Sequence, residues 1–287
     1  MPMFPLAPLS DADIAKYLAD IQAGNADVDT VFQRIRDSGA MFHYDCKPQK
    51  EDARDFPLPL LATPSASSGG PKQWRSRIEN QGQFGSCTGQ GGTSVTELLA
   101  KKQGIFDGDL SRMFCYAMTR LAEGTLQEDS GASIRDTVKT LNKIGVPLES
   151  LWPYRRYNLY RKPSAAAIKA ASKHRVKAYY AIRKGDIGAV RIALAAGYPV
   201  LFAMWVFKAF ESLDVANHGR LALPALGEDN LGGHCIYTDW YDDSDGGYLT
   251  VPNSWGTSWG DNGVFYMPYE YFRRYTWDAW AITEDVL

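Results

Sequence analysis

The apolar pattern changes its period about two thirds of the way along the chain. Up to about residue 196 apolar residues recur at helical spacing; beyond residue 199 they come in short runs of strand length. The spacing predicts helices over 11–22 (Ser10 as cap, with Ile14, Leu18 and Ile21 on one face) and 28–36. Further helices are expected over 86–103, 111–122, 133–143, 164–173 and 186–196. Strands are expected over 199–206, 235–240, 248–251, 264–267 and 279–283. The turn segment YDDSDGG joins the second and third of these as a hairpin. No internal repeat is visible. A helical lobe followed by a β-rich lobe reads as an α+β fold with a cleft between the two.

Composition narrows the function classes. The 287 residues suffice for one large domain or two lobes, and 45% hydrophobic with 22% charged residues is the balance of a packed protein. A formal net charge of −2 gives no electrostatic case for nucleic acid or a membrane surface. No apolar run approaches the roughly 18 residues that span a bilayer. The start, MPMFPLAPLSDADIAKYLAD, lacks the pattern of a secretory leader, which makes the cytoplasm the default expectation. The four cysteines, Cys46, Cys87, Cys115 and Cys235, are widely spaced and form no CxxC pair. That speaks against a disulfide scaffold and a zinc site, and no metal or organic cofactor is expected.

Residues 81–92 read QGQFGSCTGQGG. With Ser86 as helix cap, Cys87 falls in the first turn, where unpaired N–H groups and the helix dipole favour a thiolate. The Cys87 N–H and the Gln81 side-chain amide are then candidate oxyanion donors. Gly82 and Gly85 let the incoming loop turn tightly. Gly89, Gly91 and Gly92 each cost about 1 kcal/mol of helix propensity against alanine, which is tolerated more easily where another backbone packs closely. A thiol nucleophile needs a base, and there are four histidines: His43, His174, His218 and His234. His234 lies in LGGHCIY, after two glycines that leave room for a ligand. NSWGTSWGDNG follows at 253–263, and Asn253 is placed to hold the imidazole tautomer.

QGxxGSC, GGH and NSWGxxWGxNG in this order resemble the papain family of cysteine peptidases, over about residues 74–283, and most closely bacterial members such as xylellain. The resemblance implies a two-lobe fold, with the helical lobe mainly 87–175 and the β-rich, barrel-like lobe mainly 176–283. It makes Cys87 the nucleophile, His234 its partner imidazole, Gln81 an oxyanion donor and Asn253 the orienter of the histidine. Trp255 shields the Asn–His bond. EDSGASIRD matches the stretch that pairs with substrate backbone, so Gly131 is the candidate edge, Ala132, Ser133 and Ala203 candidate pocket residues, and Gly233 a further substrate contact. The sequence also departs from the family. Phe84 stands where a disulfide cysteine is usual, and Thr88 replaces the tryptophan beside the nucleophile. Cys46 and Cys115 read as structural or incidental, and Cys235 as core packing.

The reaction implied is endopeptidase hydrolysis of a polypeptide through a thioester. Rivals are another acyl transferase, an exopeptidase or an isopeptidase on the same scaffold, and a catalytically silent binding module with a filled cleft. Residues 1–50 form an amino-terminal arm, 51–73 a Pro-, Ser- and Gly-rich linker or surface crossing, and 74–287 the peptidase domain. In this family such arms are often inhibitory, so the arm is an expected intramolecular partner, with an extended strap near 38–44 in or beside the cleft. RRYNLYRK at 155–162 mixes basic and aromatic residues but has no glycine-rich phosphate cradle, and reads as a solvated loop.

Overall fold

The computed structural model describes residues 44–49, 52, 55–58 and 63–283. The helices expected over 11–22 and 28–36, and all of the expected strap but Tyr44, lie outside the described residues.

The central element is α1 (Cys87–Lys102), buried on every side from Cys87 to Ala100. A helix enclosed all round has no polar face, and so no amphipathic stripe in its sequence. Its glycines answer to close packing. A Cβ on Gly89 would lie 2.7 Å from the Arg112 carbonyl oxygen, one on Gly91 2.8 Å from Leu201 Cδ1, and one on Gly92 2.8 Å from Thr137 Cγ2. The helices α2 (Arg112–Glu123), α3 (Ile134–Lys143), α4 (Ala165–Ala171) and α5 (Ile187–Ala195) follow. In each, the first residue of the expected range proves to be the cap: Ser111, Ser133, Ser164 and Asp186 accept from the N–H of Phe114, Asp136, Ala167 and Ala189. Shorter helices are α6 (Leu213–His218) and α7 (Tyr269–Tyr275).

Two antiparallel sheets form the other lobe. One has the order β2 (Ala178–Ala181), β8 (Thr276–Thr283), β3 (Val200–Phe207), β4 (Asn230–Thr238). The second runs β1 (Ser68–Gly69), β5 (Trp240–Asp242), β6 (Tyr248–Pro252), β7 (Val264–Pro268). The single strand expected over 235–240 is therefore two: the chain leaves the first sheet at Thr238 and enters the second at Trp240. The cause is Asp239, fully buried at the switch, whose carboxylate accepts from Arg75 Nε at 2.6 Å and Nη2 at 2.7 Å. The hairpin around YDDSDGG is β5–β6. Parts of the Pro-, Ser- and Gly-rich crossing are tied to the sheets. β1 pairs with β5, and Ala181 exchanges backbone hydrogen bonds with Phe56 and Leu58 at 2.8 and 3.1 Å.

Strand β3 is apolar on both faces because both are covered. Leu201 and Ala203 belong to the cluster under α1, with Leu98, Val138, Cys235 and Trp280. Phe202 and Met204 belong to the β-lobe core, with Phe210, Trp255, Trp259 and Phe265. The four cysteines are all free and buried. Among the described residues no helix is long and apolar enough to cross a membrane.

Candidate active site

Cys87 is the first residue of α1 and is fully buried. Ser86 stands at the cap position, but its hydroxyl does not cap the helix. It is hydrogen-bonded to Tyr154 Oη at 2.5 Å, and the first intrahelical bond is Gln90 N–H to the Ser86 carbonyl at 2.9 Å. The Cys87 thiol lies well above its ordinary value. Burial is the main cause, the Cys46 thiol beside it adds to the shift, and bonds from the backbone N–H groups of Cys235 and Thr88 oppose it. The thiolate expected at a helix N-terminus is thus suppressed in this structure, because enclosure outweighs the dipole.

His234 lies on β4, fully buried, where Met204 is its partner on β3. Its Nε2 is 2.9 Å from Asn253 Oδ1. That oxygen also accepts the Ser254 N–H at 2.9 Å, so it is an acceptor and Nε2 carries the proton. Nδ1 is then the basic nitrogen, and it is buried without a hydrogen-bond partner. Burial pulls the imidazole down to about 4, and the Asn253 bond only partly offsets it. The Trp255 ring, 1% exposed, lies 5.4 Å from the imidazole centroid at 31°, with Trp259 and Phe210 behind it.

Gln81 is fully buried and held on three sides. Its N–H donates to the Ser254 carbonyl at 2.8 Å, its Oε1 accepts from Ser254 Oγ at 2.6 Å, and its Nε2 donates to the Phe84 carbonyl at 3.0 Å. Its own carbonyl accepts from Tyr154 Oη at 2.9 Å. The loop before Cys87 is also tied to Gly131. Gly85 N–H donates to Asp129 at 3.2 Å, Tyr116 Oη donates to the same carboxylate at 2.6 Å, and Tyr116 Oη accepts the Gly131 N–H at 3.0 Å. Sequence reasoning missed Ser254, Tyr154, Tyr116 and Asp129. Two of them had a signal in the motifs themselves: Ser254 lies in NSWG and Asp129 in EDSG.

The candidate substrate residues are occupied by the chain itself. Asp45 pairs in parallel with Gly233, and Lys47 with Ser133. Cys46 N–H donates to the Gly233 carbonyl and Gly233 N–H to the Tyr44 carbonyl, both at 2.9 Å; Lys47 N–H donates to the Ala132 carbonyl at 3.0 Å. A Cβ on Gly131, whose φ is +68°, would fall 1.7 Å from the Asp45 carbonyl oxygen, so only glycine admits this backbone. Ser133 caps α3, and Ala203 is a fully buried β3 residue opposite Cys235 and Asp278. Tyr44 packs edge-on against His234 at 6.2 Å and donates to Glu211 at 3.2 Å. Lys47 donates to Ser130 Oγ at 2.9 Å and faces Glu123 at 3.7 Å; Gln49 donates to Asp136 at 2.8 Å. Among the described residues no cluster of His, Cys, Asp and Glu suits a metal ion.

Comparison with known proteins gives one consistent answer. Residues 71–274 match the family described as papain family cysteine protease. An uncharacterized peptidase C1-like protein of Acanthamoeba polyphaga mimivirus is 34% identical over 217 residues, 71% of this chain and 69% of that one. The crystal structure of xylellain, a cysteine protease from Xylella fastidiosa, superposes with a TM-score of 0.76 at 29% identity, covering 84% of this chain and 96% of that one. Digestive procathepsin L 3 of Tenebrio molitor larval midgut superposes with a TM-score of 0.64 at 16% identity, covering 95% of this chain and 88% of that one, a likeness of fold alone.

Proposed function

Because the chain belongs to the papain family of cysteine proteases, we propose that it is an endopeptidase whose nucleophile is Cys87, held latent by its own amino-terminal arm. The carrying observation is the His234–Asn253 hydrogen bond, which fixes the proton on Nε2 and leaves Nδ1 as a base. With the strap out of the cleft, water and substrate polarity replace the enclosure that now keeps Cys87 and His234 neutral. The thiol proton passes to Nδ1, and the thiolate attacks a peptide carbonyl. The Cys87 N–H and the second amide hydrogen of Gln81 receive the developing oxyanion; the first amide hydrogen is spent on the Phe84 carbonyl, which sets the direction of the other. The imidazolium gives its proton to the leaving amine and then draws one from water to release the acyl group.

Latency is supported by where the strap lies. Residues 44–47 use backbone groups of Gly233 and Ala132 and lie close against Gly131, where an extended peptide substrate would have to pair. The Tenebrio structure is of a proenzyme, which makes a self-occluded cleft a reasonable state for this fold.

The test is turnover of a panel of internally quenched peptides, blocked at both ends, by protein from which the first 50 residues have been removed. Cleavage within blocked peptides, abolished in Cys87→Ala, is the expected result. Cleavage only of peptides with a free terminus replaces the endopeptidase by an exopeptidase. No cleavage by the folded trimmed chain favours the silent binding module.

A further inference from the structure

Cys46 is not an incidental thiol. It sits at the centre of the strap, 4% exposed, with its backbone bonded to Gly233. Its side chain is hydrogen-bonded to that of Cys235, two residues further along the strand β4 and 1% exposed. Cys87 borders the same space, but its sulfur is taken up by the N–H groups of Cys235 and Thr88. The strap therefore carries one thiol, and that thiol is seated on a thiol in the floor of the cleft. We propose that Cys46 and Cys235 form a reversible disulfide that staples the strap into the cleft, with a low-molecular-weight disulfide such as oxidised glutathione as the oxidant.

The geometry favours this pair. The strap is fixed on both sides of Cys46, by Tyr44 at Gly233 and by Lys47 at Ala132, and Cys46 and Cys235 share one buried cluster with their side chains hydrogen-bonded. A pair already in contact closes with little movement, which is what the narrow geometry of a disulfide demands. The surroundings set when it forms. Burial and the nearby Asp278 and Glu123 carboxylates push the seated Cys46 thiol up, and burial likewise raises Cys235, so neither is a nucleophile while the strap is down. Exchange begins with the strap lifted. One cysteine thiolate attacks the S–S bond of the oxidant and releases one thiol. As the strap approaches the cleft, before burial suppresses the remaining thiolate, that thiolate attacks the protein sulfur of the mixed disulfide and releases the other thiol. Two electrons and two protons leave the cysteine pair, and the oxidant is reduced to two thiols. A small reducing thiol reverses both steps. The staple covers Cys87 without consuming it, so reduction returns an intact nucleophile.

The effect on activity rests on the peptidase reading; the disulfide itself does not. The experiment incubates the full-length chain in reduced or oxidised glutathione, blocks free thiols, and maps the cross-link by peptide mass. In parallel, samples are treated with a thiol-directed peptidyl epoxide. The expected result is a Cys46–Cys235 cross-link in the oxidised sample, with epoxide labelling of Cys87 lost and then restored by reduction. Cys46→Ser should label equally in both buffers. Cys235→Ala should behave the same, and Cys46→Ser keeps the test valid if the buried Cys235→Ala variant does not fold. A cross-link between Cys46 and Cys87, or none in the oxidised sample, overturns the proposal. A Cys46–Cys235 cross-link in a protein whose Cys87 never labels, in any variant or buffer, upholds the staple and removes the peptidase reading.

Discussion

The helix α1 and the strap at 44–49 meet at the same cysteine, Cys87, but they are held in different ways. α1 is buried on every face, and its glycines let α2, α3 and β3 close onto it at contact distance. The strap is held by backbone hydrogen bonds to Gly233 and Ala132 and by polar side-chain contacts at Glu211, Ser130 and Asp136. Removing a neighbour of α1 opens a cavity or a clash in the core. Removing the strap exposes groups that water can satisfy, at a net cost of about 1 kcal/mol per hydrogen bond. One region positions the candidate site residues, and the other lies across them.

The largest expected effect separates the two roles outright. Cys87→Ala should abolish peptide turnover by the trimmed chain while leaving it folded, read by turnover and circular dichroism together. Next is the pH dependence of stability. His234 is held at about 4 in the closed form against an ordinary value of 6.5. Between those values the unfolded chain binds the extra proton, so stability is full above 6.5 and falls as pH drops towards 4, by about 3 kcal/mol in all. Burial raises Asp278 to about 6, which changes stability in the opposite direction over this range, so urea titrations at pH 7 and 4.5 compare the full chain with His234→Gln. The same pH dependence in both contradicts the buried neutral imidazole. Gly89→Val should cost about 3 kcal/mol, since its Cβ meets the Arg112 backbone carbonyl and Tyr116 Cβ, neither of which is a flexible end. Thermal unfolding checks it.

Smaller effects sharpen the boundary between site and cover. Ser254→Ala frees Gln81 Oε1 and should lower kcat about tenfold with little change in KM, as for a weakened oxyanion donor. An equal loss in KM would mean that Ser254 serves substrate binding instead. Tyr44→Ala removes the ring against His234 and the bond to Glu211. It should leave global stability within about 1 kcal/mol yet raise epoxide labelling of the full-length chain severalfold.

Local chemistry was the most legible part of the sequence. The caps Ser111, Ser133, Ser164 and Asp186 each act on a donor three residues away, so a short window contains the whole interaction. The sheet switch at Asp239 was not legible, because the alternation of CIYTDWY runs through it and the cause, Arg75, is far away in the chain. The order of Gln81, Cys87, His234 and Asn253 stood out through its motifs. The residues that hold them, Ser254 on Gln81, Tyr154 on Ser86 and Asp129 on Gly85, are ordinary polar residues that gain meaning only when distant segments meet. Ser86 shows the limit from the other side: a good cap by type, it spends its hydroxyl on Tyr154. Cys46 carried no signal at all, since only the fold brings it to Cys235.

Latency of the proposed kind requires that the strap can leave and that Cys87 is then reactive. The direct measurement is the rate at which a peptidyl epoxide labels Cys87, followed by intact mass, in the reduced full-length chain and in a chain lacking residues 1–50, with Cys87→Ala as control. One adduct is expected, at Cys87, forming much faster in the trimmed chain. Equal rates in the two chains would contradict it.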